Sequence, residues 1–466
     1  MMDKKAKTLA ELRESGYHPV SVKEEIRNNT LARIKSGQPL INGVKGYDDS
    51  VLPALEVALL AGHDVIFLGE RGQAKTRIIR GLVSLLDEWV PIVQGSELND
   101  DPMSPTSKYA IEKVADLGDK TPIEWLHSSK RYSEKLATPD TSMADLIGEV
   151  DPIKVAEGRY LSDEFTLHYG LVPRTNRGIF AINELPDLAE RIQVGLLNLL
   201  EERDVQIRGY KIRLELDLMF VASANPEDYT NRGRLITPLK DRFGTQIQTH
   251  YPVSTELEME IMNQEGSTLA LAENVYVPEF MSEVIAEISQ QARKNTSINQ
   301  RSGVSVRMSV SSYETMVASA TRRSLLLGEE KIVPRISDLW ALVSSIAGKI
   351  EIDAFGQSVE NELIPKLLMA SVLKVFRNRF SIDELKGVIG YFESNSMIEV
   401  GPSVSSGEYV ELAKEIPQLS DAITKLDGSS EAAFASSVEL ILEGLYYSKK
   451  LNRRTRAGVI GYYTKG

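Results

Sequence analysis

One segment constrains the fold more strongly than any other part of the chain. An apolar run at residues 65–68 leads into a loop that reads Gly69-Glu-Arg-Gly-Gln-Ala-Lys-Thr76, and a helical pattern follows to residue 86. The loop departs from the spacing Gly-x-x-x-x-Gly-Lys-Thr only at Ala74, where the last glycine usually stands. A strand, a tight loop and a helix in this order form a phosphate-binding site, because loop N–H groups and the positive end of the helix dipole point inward. The segment therefore predicts an α/β domain that binds a nucleotide.

The residues around this loop have separate expected roles in binding ATP and Mg²⁺. We expect the Lys75 ammonium to meet the β- and γ-phosphates and the Thr76 hydroxyl to ligate Mg²⁺. Ala74 is tolerable because the backbone, rather than a side chain, holds the phosphates. A glycine-rich turn upstream, at residues 41–49, is suited to wrap an adenine. The predicted cofactor-binding residues are Gly69, Gly72, Gln73, Ala74, Lys75, Thr76, Val44 and Tyr47.

Composition excludes several other kinds of protein. The formal charge of −12, from 54 basic and 66 acidic side chains, argues against non-specific nucleic-acid binding as the main task. The chain has no cysteine, so disulfides, thiolate catalysis and cysteine–zinc sites are excluded, and its five histidines include no pair at i,i+4 spacing. No run of 18 or more apolar residues occurs. We therefore expect a cytoplasmic protein without membrane insertion.

The order of patterns along the 466 residues predicts more than one domain. Strand patterns alternate with helical ones over residues 40–252, which predicts a parallel sheet flanked by helices. Residues 95–137 are expected to form a surface insertion with short helices around 109–114 and 123–127. Helical patterns dominate after Pro252. The predicted domains are an N-terminal helical segment (1–39), an α/β nucleotide-binding domain (40–255), an all-helical lid (256–400) and a C-terminal helical extension (401–466).

Candidate catalytic residues follow the strands that come after the loop. Glu184 ends a buried strand and is expected to orient or deprotonate an attacking water, and Asn225 ends the next core strand, where it would bond that water and the γ-phosphate. Arg242 is expected in a surface loop that reaches a neighbouring subunit's nucleotide. Arg307 opens a later helix that could fold back on the phosphates. Ligands in such sheets bind at the carboxyl ends of the strands.

These motifs together resemble the AAA+ ATPases, specifically the magnesium-chelatase I-subunit and MoxR branch, over residues 40–350. In that resemblance residues 69–76 are Walker A, 178–184 Walker B, 222–226 sensor 1, 241–244 the arginine-finger motif and Arg307 sensor 2. Residues 145–169 fall at the helix-2 insertion of the group, and a hairpin at 205–214 precedes sensor 1. The resemblance implies an AAA+ domain with a helical lid, assembled as a ring, most often a hexamer.

One departure from the family pattern concerns the metal. Asn183 stands where the family has the aspartate that helps to hold the water shell of Mg²⁺, so an amide replaces a negative charge. We therefore expect Asn183 and Thr76 to be the residues nearest the metal, with reduced metal affinity or turnover.

Several functions stay open at this point. The leading hypothesis is a ring ATPase that remodels a partner protein, as the magnesium-chelatase ATPase subunit does, or a MoxR-type chaperone whose partner carries a von Willebrand A-type domain. A DNA-stimulated motor is the second class, based on Arg208, Lys211 and Arg213 in the hairpin and on the basic stretch 449–456. Nucleic acid is the less favoured partner because the chain is acidic. A nucleotide-binding scaffold without hydrolysis is the third.

Overall fold

A computed structural model describes most of the chain and divides it into two compact units, Met1–His250 and Tyr251–Gly466. The four-part division expected from sequence stays a prediction. The described residues are 6–151, 153, 164–202, 204–206, 213–225, 234–266, 274–299, 303–352, 357–393, 397–426, 428–456 and 459–464. In this part of the chain, no helix has both the length and the apolar character needed to cross a membrane.

A five-stranded parallel sheet forms the centre of the first unit, in the order β11-β1-β10-β7-β4. Three of its strands, β1, β7 and β10, are buried along their whole length, as their apolar runs require. The strands of the unit are β1 Val65–Leu68, β2 Trp89–Val93, β3 Ile123–His127, β4 Tyr132–Leu136, β5 Gly148–Val150, β6 Leu167–Tyr169, β7 Gly178–Asn183, β8 Asp204–Gln206, β9 Arg213–Glu215, β10 Leu218–Ala224 and β11 Thr245–Gln248.

Apolar side chains pack on both faces of this sheet. Along β1, Val65 and Phe67 join one core cluster, and Ile66 and Leu68 join the other. This alternation is what a sheet covered by helices on both sides requires, so the predicted fold class is confirmed. The α-helices of the unit are Leu9–Glu14, Val22–Ser36, Val51–Ala61, Lys75–Gly81, Lys108–Leu117, Met143–Leu146, Leu171–Arg174, Glu190–Gly195, Leu197–Glu201 and Thr237–Arg242, with short 3-10 segments at Leu82–Leu85, Gly118–Lys120, Ser128–Lys130, Glu164–Thr166 and Leu185–Asp187.

The helix Val22–Ser36 braces the amino-terminal edge of the sheet. Ser21 caps it by accepting a hydrogen bond from the Glu24 N–H at 3.3 Å. Glu25 forms a buried, bidentate ion pair with Arg131, which precedes β4. Its neighbour Lys23 contacts Asp64, which precedes β1, at 3.1 Å. The N-terminal segment is therefore fastened to the starts of the sheet strands, at the edge opposite the strand ends that carry the site.

The helix expected around residues 109–114 is confirmed as Lys108–Leu117, whereas two other local predictions for residues 95–137 were wrong. The segment Ile123–His127 is not a helix but β3, which pairs antiparallel with β2. Tyr132–Leu136 is not part of a surface insertion but β4, the edge strand of the central sheet. Polar side chains hid this strand: Ser133, Glu134 and Lys135 give it no apolar run, because an edge strand is half-exposed.

The second unit is mainly helical and also contains a small sheet that the sequence did not predict. The strands β12 Ile398–Val400, β13 Asn452–Arg456 and β14 Val459–Tyr463 pair antiparallel in the order β12-β14-β13. The basic stretch at residues 449–456 therefore includes β13. The α-helices are Thr255–Glu265, Glu279–Lys294, Val306–Leu327, Leu342–Ala347, Gln357–Arg379, Lys386–Glu393, Ser406–Glu415, Pro417–Ile423 and Glu431–Tyr447, with a 3-10 segment at Ile336–Ala341.

One hydrophobic core runs through this unit from Met262 to Tyr462, across the boundary predicted at residue 400. A buried polar network adds to it. The Arg335 guanidinium donates to Glu329 at 3.0 Å and to the Ser406 hydroxyl at 2.7 Å. The Tyr409 hydroxyl donates to Glu439 at 2.6 Å. Burial of this glutamate raises its pKa, although Arg335 acts in the opposite direction.

Candidate functional site

The loop between β1 and the helix Lys75–Gly81 has the backbone of a phosphate-binding loop. Gly72 and Ala74 both have left-handed conformations, with φ values of +75° and +56°. A Cβ atom on Gly69 would lie 2.0 Å from the Thr249 hydroxyl and 2.2 Å from the Gln73 side-chain oxygen, so only glycine fits there. Ala74 directly precedes the helix Lys75–Gly81, and it adopts a conformation that glycine adopts at lower cost.

Lys75 is the first residue of that helix, and its ammonium group bends back over the loop. It donates to the Glu70 carbonyl at 2.9 Å and also to the Gly69 carbonyl. The side chain is buried, which is unusual for a lysine and requires such partners. Thr76 follows it and is half-buried. The structure thus brings Gly69, Lys75 and Thr76 together at the carboxyl end of β1.

A second set of residues stabilises the loop through hydrogen bonds to Gln73. The Thr249 hydroxyl donates to the Gln73 side-chain oxygen at 2.7 Å. The Tyr47 hydroxyl lies 2.9 Å from the Gln73 carbonyl and 2.8 Å from the His250 carbonyl. Burial raises the pKa of Tyr47 to about 12, so the phenol stays neutral and can donate. Val44 is half-buried and packs against the hydrophobic core cluster that contains Tyr47.

The role of these residues differs in part from the sequence-based expectation. Tyr47 braces the loop through Gln73, and its contact with an adenine stays a prediction. Thr249 and His250 were not named from the sequence. Both directly follow β11, at the carboxyl-terminal ends of the strands where the loop also lies. Parallel sheets bind ligands at the carboxyl ends of their strands, and this rule was a signal from which both residues could have been predicted.

Asn183, Glu184 and Asn225 lie at the carboxyl ends of β7 and β10, which pair with each other. Glu184 is half-buried and left-handed, with a φ of +55°. Its N–H donates to the Ser223 hydroxyl at 3.2 Å, and this hydroxyl donates to the Asn183 side-chain oxygen at 3.3 Å. Asn225 is buried, immediately after β10. β10 is also the neighbour of β1. These side chains therefore lie at the carboxyl-terminal ends of the parallel strands, on the same side of the sheet as the loop.

The two candidate arginines both lie on helices. Arg242 ends the helix Thr237–Arg242 and donates to the Glu201 carboxylate through two nitrogen atoms. It is thus at a helix end, not in a loop. Arg307 belongs to the second unit, where it is exposed in the first turn of the helix Val306–Leu327. Arg208 and Lys211 of the hairpin lie outside the described residues, and for Arg213 only the backbone is described.

The site has oxygen donors that suit Mg²⁺. Within the described ranges, no group of three or more histidine, aspartate and glutamate side chains is arranged to hold a metal ion. Mg²⁺ commonly keeps several waters and takes only one or two protein ligands besides phosphate oxygens. The Thr76 hydroxyl, the Asn183 amide oxygen and the Glu184 carboxylate form such a sparse set, so the residues present fit the metal.

Several curated magnesium-chelatase subunits match the chain in sequence. The magnesium-chelatase subunit ChlI of Anabaena variabilis is 29% identical over 204 residues, which cover 43% of this chain and 56% of that protein. The corresponding subunit of Guillardia theta is 25% identical over 337 residues, covering 70% and 79% of the two chains. The chain spans about half the length of several curated relatives that it matches. No protein-family model matches the chain.

A solved structure resembles the chain more distantly. A complex between subunits BchI and BchD of magnesium chelatase includes a chain that is 19% identical, with a TM-score of 0.33, over 74% of this chain and all of that one. This superposition does not contribute to the assignment, which rests on the sequence matches, the phosphate-loop geometry and the parallel sheet. By these three observations the chain is a P-loop α/β protein whose sequence is similar to those of the magnesium-chelatase I subunits.

Proposed function

We propose that this chain binds ATP with Mg²⁺, hydrolyses it to ADP and phosphate, and uses the resulting domain motion to remodel a partner protein. The observation that supports hydrolysis most directly is that the loop, Glu184 and Asn225 all lie at the carboxyl-terminal ends of the parallel strands. Asn225 follows β10, the neighbour of β1, and Glu184 follows β7, which pairs with β10 on its other side. The loop that contains Lys75 follows β1. Binding alone would need the loop, whereas a carboxylate and an amide at the same edge are the groups that orient a water.

Each residue has a defined task in this proposal. Lys75, whose ammonium now contacts two loop carbonyls, would exchange them for phosphate oxygens. Mg²⁺, when bound near Thr76 and Asn183, would neutralise phosphate charge. Glu184 would accept a proton from the attacking water or orient it. Asn225 would fix that water relative to the γ-phosphate.

Two arginines would complete the site from outside the loop. Arg242 lies at a helix end, where its contacts among the described residues are the Glu201 carboxylate and the Pro238 carbonyl. We infer that it contacts the nucleotide of a neighbouring subunit. This requires a ring, for which a hexamer is the proposed size. Arg307 would act from the second unit on the phosphates. Val44 would line the adenine side.

The partner is proposed by similarity to the curated relatives. The proposed client is a separate subunit in the cytoplasm: a large subunit in magnesium-chelatase-like action, or a protein with a von Willebrand A-type domain in MoxR-type action. No observation on the described residues favours the DNA motor. The non-hydrolysing scaffold is kept as the contrary outcome because Asn183 lacks the usual negative charge.

The decisive experiment compares wild type with Glu184→Gln. Both should bind a fluorescent ATP analogue in the presence of Mg²⁺, and only the wild type should release phosphate. Equal phosphate release by the two proteins would contradict hydrolysis at this site. Added DNA separates the motor from the remodelling ATPase, because only a motor would show DNA-stimulated turnover with a steep salt dependence. Glu184→Gln with ATP should also hold the client for pull-down.

A further inference from the structure

Ser223 occupies a central place in the site, although no role follows for it from the sequence motifs. Its side chain is almost fully buried, with 1% exposure. The hydroxyl accepts a hydrogen bond from the Glu184 N–H at 3.2 Å and donates one to the Asn183 side-chain oxygen at 3.3 Å. A hydroxyl has one donor and two acceptor positions, so a single atom can make both bonds at once. Ser223 on β10 thereby connects two consecutive residues at the end of β7.

The bond to Glu184 fixes the point where its side chain leaves the backbone. Glu184 has a left-handed conformation, which costs a residue with a Cβ roughly 1–2 kcal/mol. Such a conformation persists only when neighbouring contacts hold it. The N–H bond to Ser223 is one such contact. Without it, we expect the start of the side chain to vary in direction, and a base that is displaced by about 1 Å loses much of its effect.

The bond to Asn183 fixes the direction of the amide. An aspartate at this position would present two equivalent oxygens, but an asparagine has only one. The Ser223 hydroxyl donates to that one oxygen, and therefore sets which way the amide plane faces. Any contact between Asn183 and the water shell of a metal depends on this orientation.

We propose that Ser223 is a positioning residue that couples Asn183 and Glu184, so that metal binding and water activation depend on one hydroxyl. This inference rests on the proposed ATPase function and extends it to a residue that touches neither nucleotide nor metal. It also explains how a site with an asparagine in place of an aspartate can still present one defined oxygen. Ser223 acts only through its two neighbours.

The test uses Ser223→Ala with Val221→Ala as the matched control. Val221 is buried in the same strand, on the same face, and reports what a small loss of packing does. For Ser223→Ala we expect kcat to fall by about 10- to 100-fold with little change in KM, as is typical when a group around a metal ligand is removed. The Mg²⁺ concentration for half-maximal binding of a fluorescent ATP analogue should rise about tenfold. Val221→Ala should change neither quantity.

A double-mutant cycle with Asn183→Ala checks the coupling itself. If Ser223 acts on the metal through Asn183, Ser223→Ala should shift the Mg²⁺ titration no further once Asn183 is already alanine. Losses that multiply would overturn the coupling, and equal effects of Ser223→Ala and Val221→Ala would reduce Ser223 to packing.

The outcomes for the two proposals are distinguishable. Wild-type turnover that does not exceed Glu184→Gln overturns hydrolysis, while the Mg²⁺ titration of binding still tests Ser223. Normal wild-type turnover together with an unchanged Ser223→Ala variant overturns only the role of Ser223. A wild type that binds no nucleotide overturns both.

Discussion

Arg242 donates from Nε and Nη2 to one carboxylate oxygen of Glu201, at 2.9 and 2.5 Å. This contact ties the carboxyl ends of the helices Leu197–Glu201 and Thr237–Arg242. The pair lies at the surface, since the two side chains are 28% and 57% exposed. A surface ion pair of this kind contributes about 0–1 kcal/mol, so Arg242 can exchange Glu201 for another anion at low cost.

This low cost makes the inter-subunit role of Arg242 testable by mixing. Arg242→Ala should bind ATP normally but lose nearly all turnover, and Glu184→Gln should do the same for a different reason. Mixed rings of the two variants should regain activity, because a subunit with Glu184 can then receive Arg242 from its neighbour. Phosphate release across mixing ratios measures this. If every mixture stays inactive, Arg242 does not act between subunits.

Glu201→Gln tests whether the ion pair holds Arg242 back. A contact worth at most about 1 kcal/mol corresponds to a factor of about five, so turnover should rise by no more than that. Added salt should shrink the difference between this variant and the wild type, because salt screens the pair. A large loss of turnover would instead mean that Glu201 positions Arg242 for catalysis.

Ala74→Gly should stabilise the protein. Ala74 has a φ of +56°, which a glycine adopts without the steric cost of a Cβ. We expect the free energy of unfolding of the first unit to rise by about 0.5–1 kcal/mol, measured by urea denaturation. Affinity for the ATP analogue should stay within about twofold, because the backbone N–H groups keep their places. Ala74→Val is the contrasting variant and should be destabilised, since a β-branched side chain fits this conformation poorly.

Tyr47→Phe should weaken the loop without removing its ring. The hydroxyl contacts the Gln73 and His250 carbonyls, so its loss should lower the free energy of unfolding by about 1–2 kcal/mol and weaken nucleotide binding a few-fold. Tyr17→Phe is the control, because Tyr17 bonds to Asp101 at 2.5 Å and is expected to affect stability alone. The pKa of Tyr47, about 12, predicts that its ionisation does not alter wild-type affinity between pH 7 and 10. Equal affinity losses in both variants would show that the effect is not specific to the loop.

Asn183→Asp should raise the affinity of the site for Mg²⁺. A second carboxylate beside Glu184 favours Mg²⁺, and the Mg²⁺ concentration for half-maximal binding should fall about tenfold. Without Mg²⁺ the same carboxylate is buried close to another negative charge, so the free energy of unfolding in EDTA should be lower than in the wild type. Thermal unfolding with and without Mg²⁺ measures both effects. An unchanged Mg²⁺ titration would remove Asn183 from the metal site.

The environment of Asp100 predicts how the stability of the first unit changes as the pH falls. Burial raises the pKa of this carboxyl, but hydrogen bonds outweigh burial and the pKa lies below its ordinary value. A lowered folded-state pKa means that the stabilisation is present above the unfolded-state pKa of about 3.9 and is lost as the pH falls through the folded-state value. The donors are the hydroxyls of Ser96, Thr106 and Ser107 and the N–H groups of Thr106 and Ser107.

Asp100→Asn should therefore lose about 1–3 kcal/mol of stability at pH 7 and show a flatter dependence on pH below 5. Asp116→Asn, at an exposed position of the helix Lys108–Leu117, is the control and should leave both unchanged. Urea denaturation at several pH values measures the effect. A wild-type slope retained by Asp100→Asn would assign the acid sensitivity to other groups.

Residues close together in sequence account for most of what could be predicted. The strand Val65–Leu68, the loop after it and the helix Val51–Ala61 follow from local apolar patterns and glycine positions. The strands that carry Glu184 and Asn225 are buried on both faces, so their sequences are continuous apolar runs. The edge strand β4 and the strand β13 lack such runs because their side chains are mostly polar. The strand β14 does have β-branched and aromatic residues, Val-Ile-Gly-Tyr-Tyr, but it was missed among the surrounding helical patterns.

The sequence by itself determined the fold class and the identity of the groups at the sheet edge, because strand order and loop chemistry are written in local spacing. Only the tertiary structure decided which groups touch. The Ser223 hydroxyl meets Asn183 because β10 and β7 are neighbours in the sheet, and Tyr47 reaches Gln73 across 26 residues of chain. Such contacts depend on the packing of distant segments, where a hydrogen bond forms only if two backbones are already held in place. The loop at residues 69–76 is thus identified by its sequence, and its surroundings are set by the fold.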